Sequence, residues 1–121
     1  MLIYRIVTAT LFLLMLGCCR IYYSKEVVIS ESAPRPIGPY SQAVAFENLL
    51  FVSGQIGIDS NTNNLVSGGI EQEFRQIMEN IKKILEAGNS DLQKVLKVTI
   101  YLTDIRNFSK INTLYSEYFN E

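Results

Sequence analysis

The chain has 121 residues, 48% of them hydrophobic, and a net charge of −1. That length fits one domain, the apolar share excludes a disordered chain, and the charge balance excludes the basic footprint of a nucleic-acid binder. There is no histidine, and the only cysteines are Cys18 and Cys19; a Ser-His-Asp or Cys-His mechanism is excluded, and a zinc site has almost no ligand set.

Residues 1–23 read as a hydrophobic leader. Arg5 precedes an apolar run from Ile6 to Leu16, and Gly17, Cys18, Cys19 and Arg20 follow. The run is short for a membrane-spanning helix and has the length and flank of a signal-peptide core. Cys18 after Gly17 suggests a lipoprotein signal, although Met15 stands where such signals place Leu. An uncleaved anchor and a mis-assigned start codon are the competing readings. The chain is thus expected to be exported or membrane-attached through this segment, or cytoplasmic if it starts near Ser24.

Residues 24–121 read as a compact domain. Lys25 to Ser30 is a first strand, and the loop after it carries three prolines, each denying a donor to a sheet. Ala43–Phe46 and Leu49–Val52 are apolar runs around Glu47-Asn48. They form either a hairpin or one long strand with a bulge. Asp59 to Asn64 is a loop by composition, and Leu65 onward has the makings of a short returning strand.

Ile70 to Ala87 is the clearest helix. Ile70, Phe74, Ile77, Met78, Ile81, Ile84 and Leu85 share one face. Glu71 with Arg75 and Glu79 with Lys83 are the favourable four-residue pairs on the other, and Gly88 stops the helix. Leu96 to Thr103 alternates: Leu96, Val98, Ile100 and Leu102 point one way, and Lys97, Thr99, Tyr101 and Thr103 the other. That predicts a half-buried strand. Asn107 is the expected N-cap of a second helix, whose stripe is Phe108, Ile111, Leu114, Tyr115, Tyr118 and Phe119. Two helices with wide apolar faces need more sheet than three or four strands supply. The fold is therefore expected to be incomplete at its C-terminal end.

The segments APRPIGPYSQAV, LLFVSGQIGID, ENIKKILEAGNSDLQKVLKVTIYLTD and NFSKINTLYSEYF occur in this order. Together they closely resemble the reactive intermediate deaminase family (RidA, also called YjgF or L-PSP), over about Lys25 to Glu121. The resemblance implies an α+β, chorismate-mutase-like fold: a mixed sheet with two helices on one face, here without its last two strands. It also implies a homotrimer with ligand clefts between subunits. The implied activity is hydrolysis of small amino-acid-derived imines and enamines, such as 2-aminoacrylate, to 2-keto acids and ammonia, with no cofactor or metal.

By the same resemblance, Tyr40, Ser53, Gly54 and Asn112 line the substrate cleft, while Gly38, Pro39 and Gln42 shape the backbone around it. The Tyr40 phenol is suited to position a water or the substrate amine. The family's carboxylate-gripping arginine and water-handling glutamate are expected beyond Glu121. No catalytic residue is therefore assigned, and the 121-residue chain is expected to lack useful turnover. Arg75 and Arg106 lie in segments that align elsewhere. The bland alternatives are that Tyr40 packs, Ser53 ends a strand and Asn112 faces water. Two other functions stand beside the deaminase. One is a non-catalytic binding or holdase-like protein, sticking through exposed apolar surface. The other is an endoribonuclease or translation inhibitor, which the charge and the lack of histidine oppose.

Overall fold

The computed structural model describes residues 24–119. The expected leader over residues 1–23 lies outside them. Three strands, β1 (Lys25–Val28), β2 (Ala43–Phe46) and β3 (Leu49–Val52), form an antiparallel sheet in the order β1-β2-β3. Two helices follow, α1 (Ile70–Ala87) and α2 (Phe108–Tyr115). The architecture is α+β, as the sequence suggests. Among the described residues no helix is long and apolar enough to cross a membrane.

Of the two readings of residues 43–52, the hairpin is correct. Phe46 pairs with Leu49, so Glu47-Asn48 is a two-residue loop. Glu47 takes a φ of 54°, the left-handed turn that lets such a loop follow the twist of its strands. Strand alternation then sorts the side chains. Val28, Leu50 and Val52 turn toward buried Ala43, Ala33 and Ile84 of α1. Val27, Val44 and Phe51 are register partners on the opposite face, and Val27 and Phe51 are exposed there.

Helix α1 is the spine between two small cores. Ile84 faces the sheet. Phe74 and Met78 pack with Ile111 and Leu114 of α2, with Leu102 and Tyr118 at the margin. Gly68 and Gly69 lead into the helix at φ 110° and 79°, a region that strains any side chain. At the other end Gly88 has an ordinary φ of −91°, and the left-handed residue is Asn89. Gly88 is needed for a different reason: a Cβ there would lie 2.6 Å from Leu50 Cδ2.

The surface pairing is partly as expected. Arg75 meets Glu71 at 3.3 Å, but Glu79 pairs with Lys82 at 2.9 Å rather than with Lys83. Lys83 reaches toward Ser60 Oγ instead.

Three other sequence expectations need adjusting. Leu96–Thr103 belongs to no sheet, and its backbone makes no hydrogen bond among the described residues. Leu96 and Tyr101 are 87% and 92% exposed, whereas Leu102 is half-buried against the α1–α2 core. The predicted strand does not form there, because no described neighbour supplies a ladder. Asn107 holds the N-cap position of α2 as expected, but its own backbone is already helical and its side chain caps nothing. Asp104 caps the chain's approach to α2, its carboxylate accepting from the Arg106 N–H at 3.0 Å. For the returning strand after Leu65, only a single bridge to Ile58 forms.

Candidate functional site

The proline loop meets the head of the β2–β3 hairpin at a corner built on Gln42, which is 3% exposed. The Gln42 Oε1 accepts from the Ser30 N–H at 2.7 Å. Its Nε2 donates to the carbonyls of Ser30 and Pro34 at 3.1 and 2.8 Å, with Ala33 at the 3.5 Å limit. A buried amide so placed satisfies loop backbone that has no strand to pair with. The structural role expected of Gln42 thus has a concrete form: it fastens the loop to β2.

Tyr40 stands on this loop and is 47% exposed. Its N–H donates to the Gly38 carbonyl at 2.8 Å, folding the chain tightly. The ring then lies over Gly38, where a Cβ would come within 3.2 Å of Tyr40 Cε1. The phenol oxygen accepts, at a long 3.4 Å, from the Ile37 N–H. Its own proton has no partner among the described residues.

Ser53 lies one strand away, at the end of β3. Its N–H donates to the Gln42 carbonyl at 2.9 Å, continuing the ladder by one rung. Its hydroxyl donates to the Ser41 carbonyl at 2.6 Å. Gly54 follows, exposed, with nothing within 4 Å of where a Cβ would stand. The Gln55 amide donates back to the carbonyls of Ser53 and Gly54 at 3.1 and 3.3 Å, a contact that sequence reasoning missed.

Tyr40, Ser53 and Gly54 therefore share one corner, through Ser41 and Gln42. Asn112 does not join them. It is exposed on α2, and its side chain makes no hydrogen bond among the described residues. No carboxylate or guanidinium is hydrogen-bonded to Tyr40, Ser53 or Gly54 among the described residues. Nor does any cluster of three Cys, Asp or Glu residues there form a metal cradle.

Charged groups concentrate elsewhere. Arg75 on α1 meets Glu117 at 2.8 Å, and Glu71 also meets Lys110 of α2 at 3.4 Å. Glu117 first, then Glu71, hold the Arg75 guanidinium more firmly protonated. Lys110, then Arg75, lower the Glu71 carboxyl. Arg106 is held by Asp104 at 2.7 Å. An open cavity of about 710 Å³ lies between α1 and the 59–67 loop, lined by Asp59, Asn64, Ser67, Gln72, Arg75 and Glu79 among others. Neither Tyr40 nor Ser53 lines it, and its arginine is already engaged.

Polar residues on apolar stripes are easily overlooked, and Asn80 is one. It is fully buried on α1, donating to the carbonyls of Ile56 and Ile58 at 3.2 and 2.8 Å and accepting from Gln76 at 2.9 Å. It fixes the segment leaving the Ser53 corner. The signal in the sequence is a lone amide between Met78 and Ile81.

The family model described as endoribonuclease L-PSP matches residues 30–121. The chain belongs to the L-PSP family, also called RidA or YjgF. Among L-PSP relatives, a RutC family protein of Pyrococcus horikoshii is 54% identical over 97 residues, covering 80% of this chain and 77% of that one. The human 2-iminobutanoate/2-iminopropanoate deaminase is 42% identical over 95 residues, covering 78% and 69%. A putative endoribonuclease of Thermotoga maritima superposes with a TM-score of 0.77 at 48% identity, covering 81% and 77%. The Escherichia coli protein TdcF, solved with bound serine, gives 0.74 at 30% identity, covering 78% and 74%.

Proposed function

We propose that the Tyr40–Ser53–Gly54 corner is the binding wall of a cofactor-free imine/enamine deaminase site. The overall reaction is a balanced hydrolysis: a 2-imino acid and water give a 2-keto acid and ammonia, and an enamine enters after tautomerising to the imine. The observation that carries the reading is the open space at Gly54, next to the partly buried Ser53 hydroxyl, whose Ser41 carbonyl partner directly follows half-exposed Tyr40. The identity to the human deaminase supports the substrate class. The serine bound to the E. coli relative supports an amino-acid-sized ligand.

On this reading Asn112 faces a cleft shared with a neighbouring subunit of a homotrimer. The apolar outer face of the sheet, with Val27, Val44 and Phe51 in register, supports burial between copies. The described corner supplies hydrogen-bonding groups without an acid–base pair. The 121-residue chain is therefore expected to bind substrate-like ligands with little turnover. Calorimetry with a 2-amino acid, alongside ammonia release from an enamine generated in situ, tests both halves. Absence of binding overturns the site; rapid turnover overturns the division between binding and catalysis.

The family description itself favours a second reading, an endoribonuclease. The net charge of −1 and the absence of histidine oppose it. A non-catalytic binding protein is favoured by exposed Phe51, Leu96 and Tyr101. A monodisperse trimer in sedimentation would count against that reading.

A further inference from the structure

We propose that the cavity between α1 and the 59–67 loop binds a small aliphatic diamine in its doubly protonated form. The inference is independent of the deaminase reading, because neither Tyr40 nor Ser53 lines this space. The cavity measures about 710 Å³, within the range of small-molecule sites. Both of its walls are held in place by the protein itself. Gln72, Arg75, Gln76 and Glu79 recur at helical spacing along one stripe of α1. The loop opposite is pinned by its backbone: the Asp59 N–H donates to the Asn64 carbonyl at 3.0 Å, and the Val66 N–H to the Gly57 carbonyl at 2.8 Å. Buried Asn80 ties the start of that loop to α1 through the Ile58 carbonyl.

What the walls have left to offer identifies the ligand. Their nitrogen donors are turned to the protein. Arg75 is held by Glu117 and Glu71 at 2.8 and 3.3 Å. The Gln76 amide nitrogen donates to Asn80 Oδ1 at 2.9 Å, and the Asn64 amide nitrogen to the Thr62 carbonyl at 3.0 Å. The oxygens of these two lining amides accept nothing among the described residues. Asp59 uses only Oδ1, for the Asn61 and Thr62 N–H groups, and Glu79 uses only Oε1, for Lys82. The same Asn61 and Thr62 bonds lower the Asp59 carboxyl, so it is ionised at neutral pH. With two carboxylates to one guanidinium already paired, the lining is acidic and rich in acceptors. It calls for a cationic donor. A metal ion would need its ligands gathered at one point, and no cluster of three acidic residues does that among the described residues. Asp59 on the loop and Glu79 on the helix stand on opposite walls, which suits two ammonium groups at the ends of a short chain. Leu65 and Val66, which also line the space, suit the methylenes between them.

The test is calorimetry on the 121-residue chain at neutral pH and low salt, with 1,4-diaminobutane, 1,4-butanediol and magnesium chloride as probes. Saturable binding of the diamine is expected, with the uncharged diol and the metal ion binding more weakly. Glu79→Gln and Asp59→Asn each remove one charge at nearly constant size. Each should weaken the diamine about two- to fivefold, the range for an exposed ion pair. Glu86→Gln, on an exposed carboxylate of α1 outside the cavity, should change nothing. An equal loss in Glu86→Gln would mean general attraction to surface charge and would overturn the site. So would the absence of saturable diamine binding, or equal binding of the diol or magnesium. Should Asp59→Asn loosen its turn, Glu79→Gln decides alone, since the exposed Glu79 side chain holds only Lys82. None of these outcomes bears on the corner at Tyr40 and Ser53.

Discussion

The corner at Gln42 and the segment Leu96–Thr103 are built from similar sequence and end in opposite states. Both lie beside strand-like alternation of β-branched and apolar residues. At the corner several backbone groups that leave the sheet find a partner: Ser30, Ala33 and Pro34 on the Gln42 amide, Ser41 on the Ser53 hydroxyl. Along Leu96–Thr103 none of the backbone groups has a partner among the described residues, and Leu96 and Tyr101 face water. The difference shows what makes a strand. Alternation sets the dihedral angles, whereas stability comes from the neighbour that completes the ladder and covers one face.

The largest effect should come from the satisfied side of this contrast. Gln42→Leu keeps a similar volume and leaves the Ser30 N–H and the Ser30 and Pro34 carbonyls without partners. Denaturant unfolding should show a loss of about 3–5 kcal/mol, since each unsatisfied buried group costs roughly 1–3 kcal/mol. A loss below 1 kcal/mol would mean that water replaces the amide and that the corner is no more fixed than the open segment.

Next comes a pair of glycines on the same stretch. A Cβ on Gly57 would stand 2.9 Å from Glu73 Cα, so helix and segment must part; Gly57→Ala should cost about 1–3 kcal/mol. Gly54→Ala meets nothing in the chain and should leave stability within about 0.5 kcal/mol. If the space above Gly54 holds a ligand, the same substitution should weaken 2-aminobutanoate binding severalfold. Unchanged binding would place the ligand elsewhere.

On the unsatisfied side, Ile100→Lys should shift stability by no more than about 0.5 kcal/mol, because Ile100 is 42% exposed. It should also reduce concentration-dependent association, as charges on open edges do. A loss above 2 kcal/mol in a thermal melt would show that this segment is covered in solution and would erase the contrast.

The smallest response should be to pH near neutrality. Asp59 is lowered by the Asn61 and Thr62 backbone N–H groups, Glu71 by Lys110 and Arg75, Asp91 by Lys94, and Asp104 by Arg106. A carboxyl with a lowered folded-state pKa is protonated first in the unfolded chain. Its stabilisation is fully present above the ordinary carboxylate range and fades as pH falls through the folded values. Without histidine, melting temperature should stay flat from about pH 5.5 to 8 and drop only below about pH 4. The groups are exposed, so added salt should shrink even that drop. A transition near pH 6.5 would contradict this.

Much of the fold was legible because it depends on local rules. The spacing of Phe74, Met78 and Ile84 marks a helix with two packing directions, and the structure uses both. The four residues on either side of Glu47-Asn48 read as paired runs, although choosing hairpin over bulge needed the Phe46–Leu49 register. The site was legible only in part. Tyr40 and Ser53 were singled out through a resemblance, and the Ser53 hydroxyl meets the carbonyl of Ser41, the residue after Tyr40. Asn112 came from the same resemblance and stays apart from them within the chain. Asn107 misled because capping depends on backbone angles, and its own were already helical.

By itself the sequence determined where helices and extended segments lie, since hydrophobic period, glycines and prolines act over a few residues. It also determined what chemistry is unavailable, since a chain without histidine must work with hydroxyls, amides, carboxylates and backbone groups. Only the tertiary structure decided which polar residues are already spent. Gln42 and Asn80 look free in the sequence and are consumed by carbonyls eight or more positions away. The Ser53 proton is committed to Ser41 across the hairpin, which leaves that hydroxyl able only to accept. Hydrogen-bond partners distant in the chain are set by how strands and loops meet, and no local pattern carries that information.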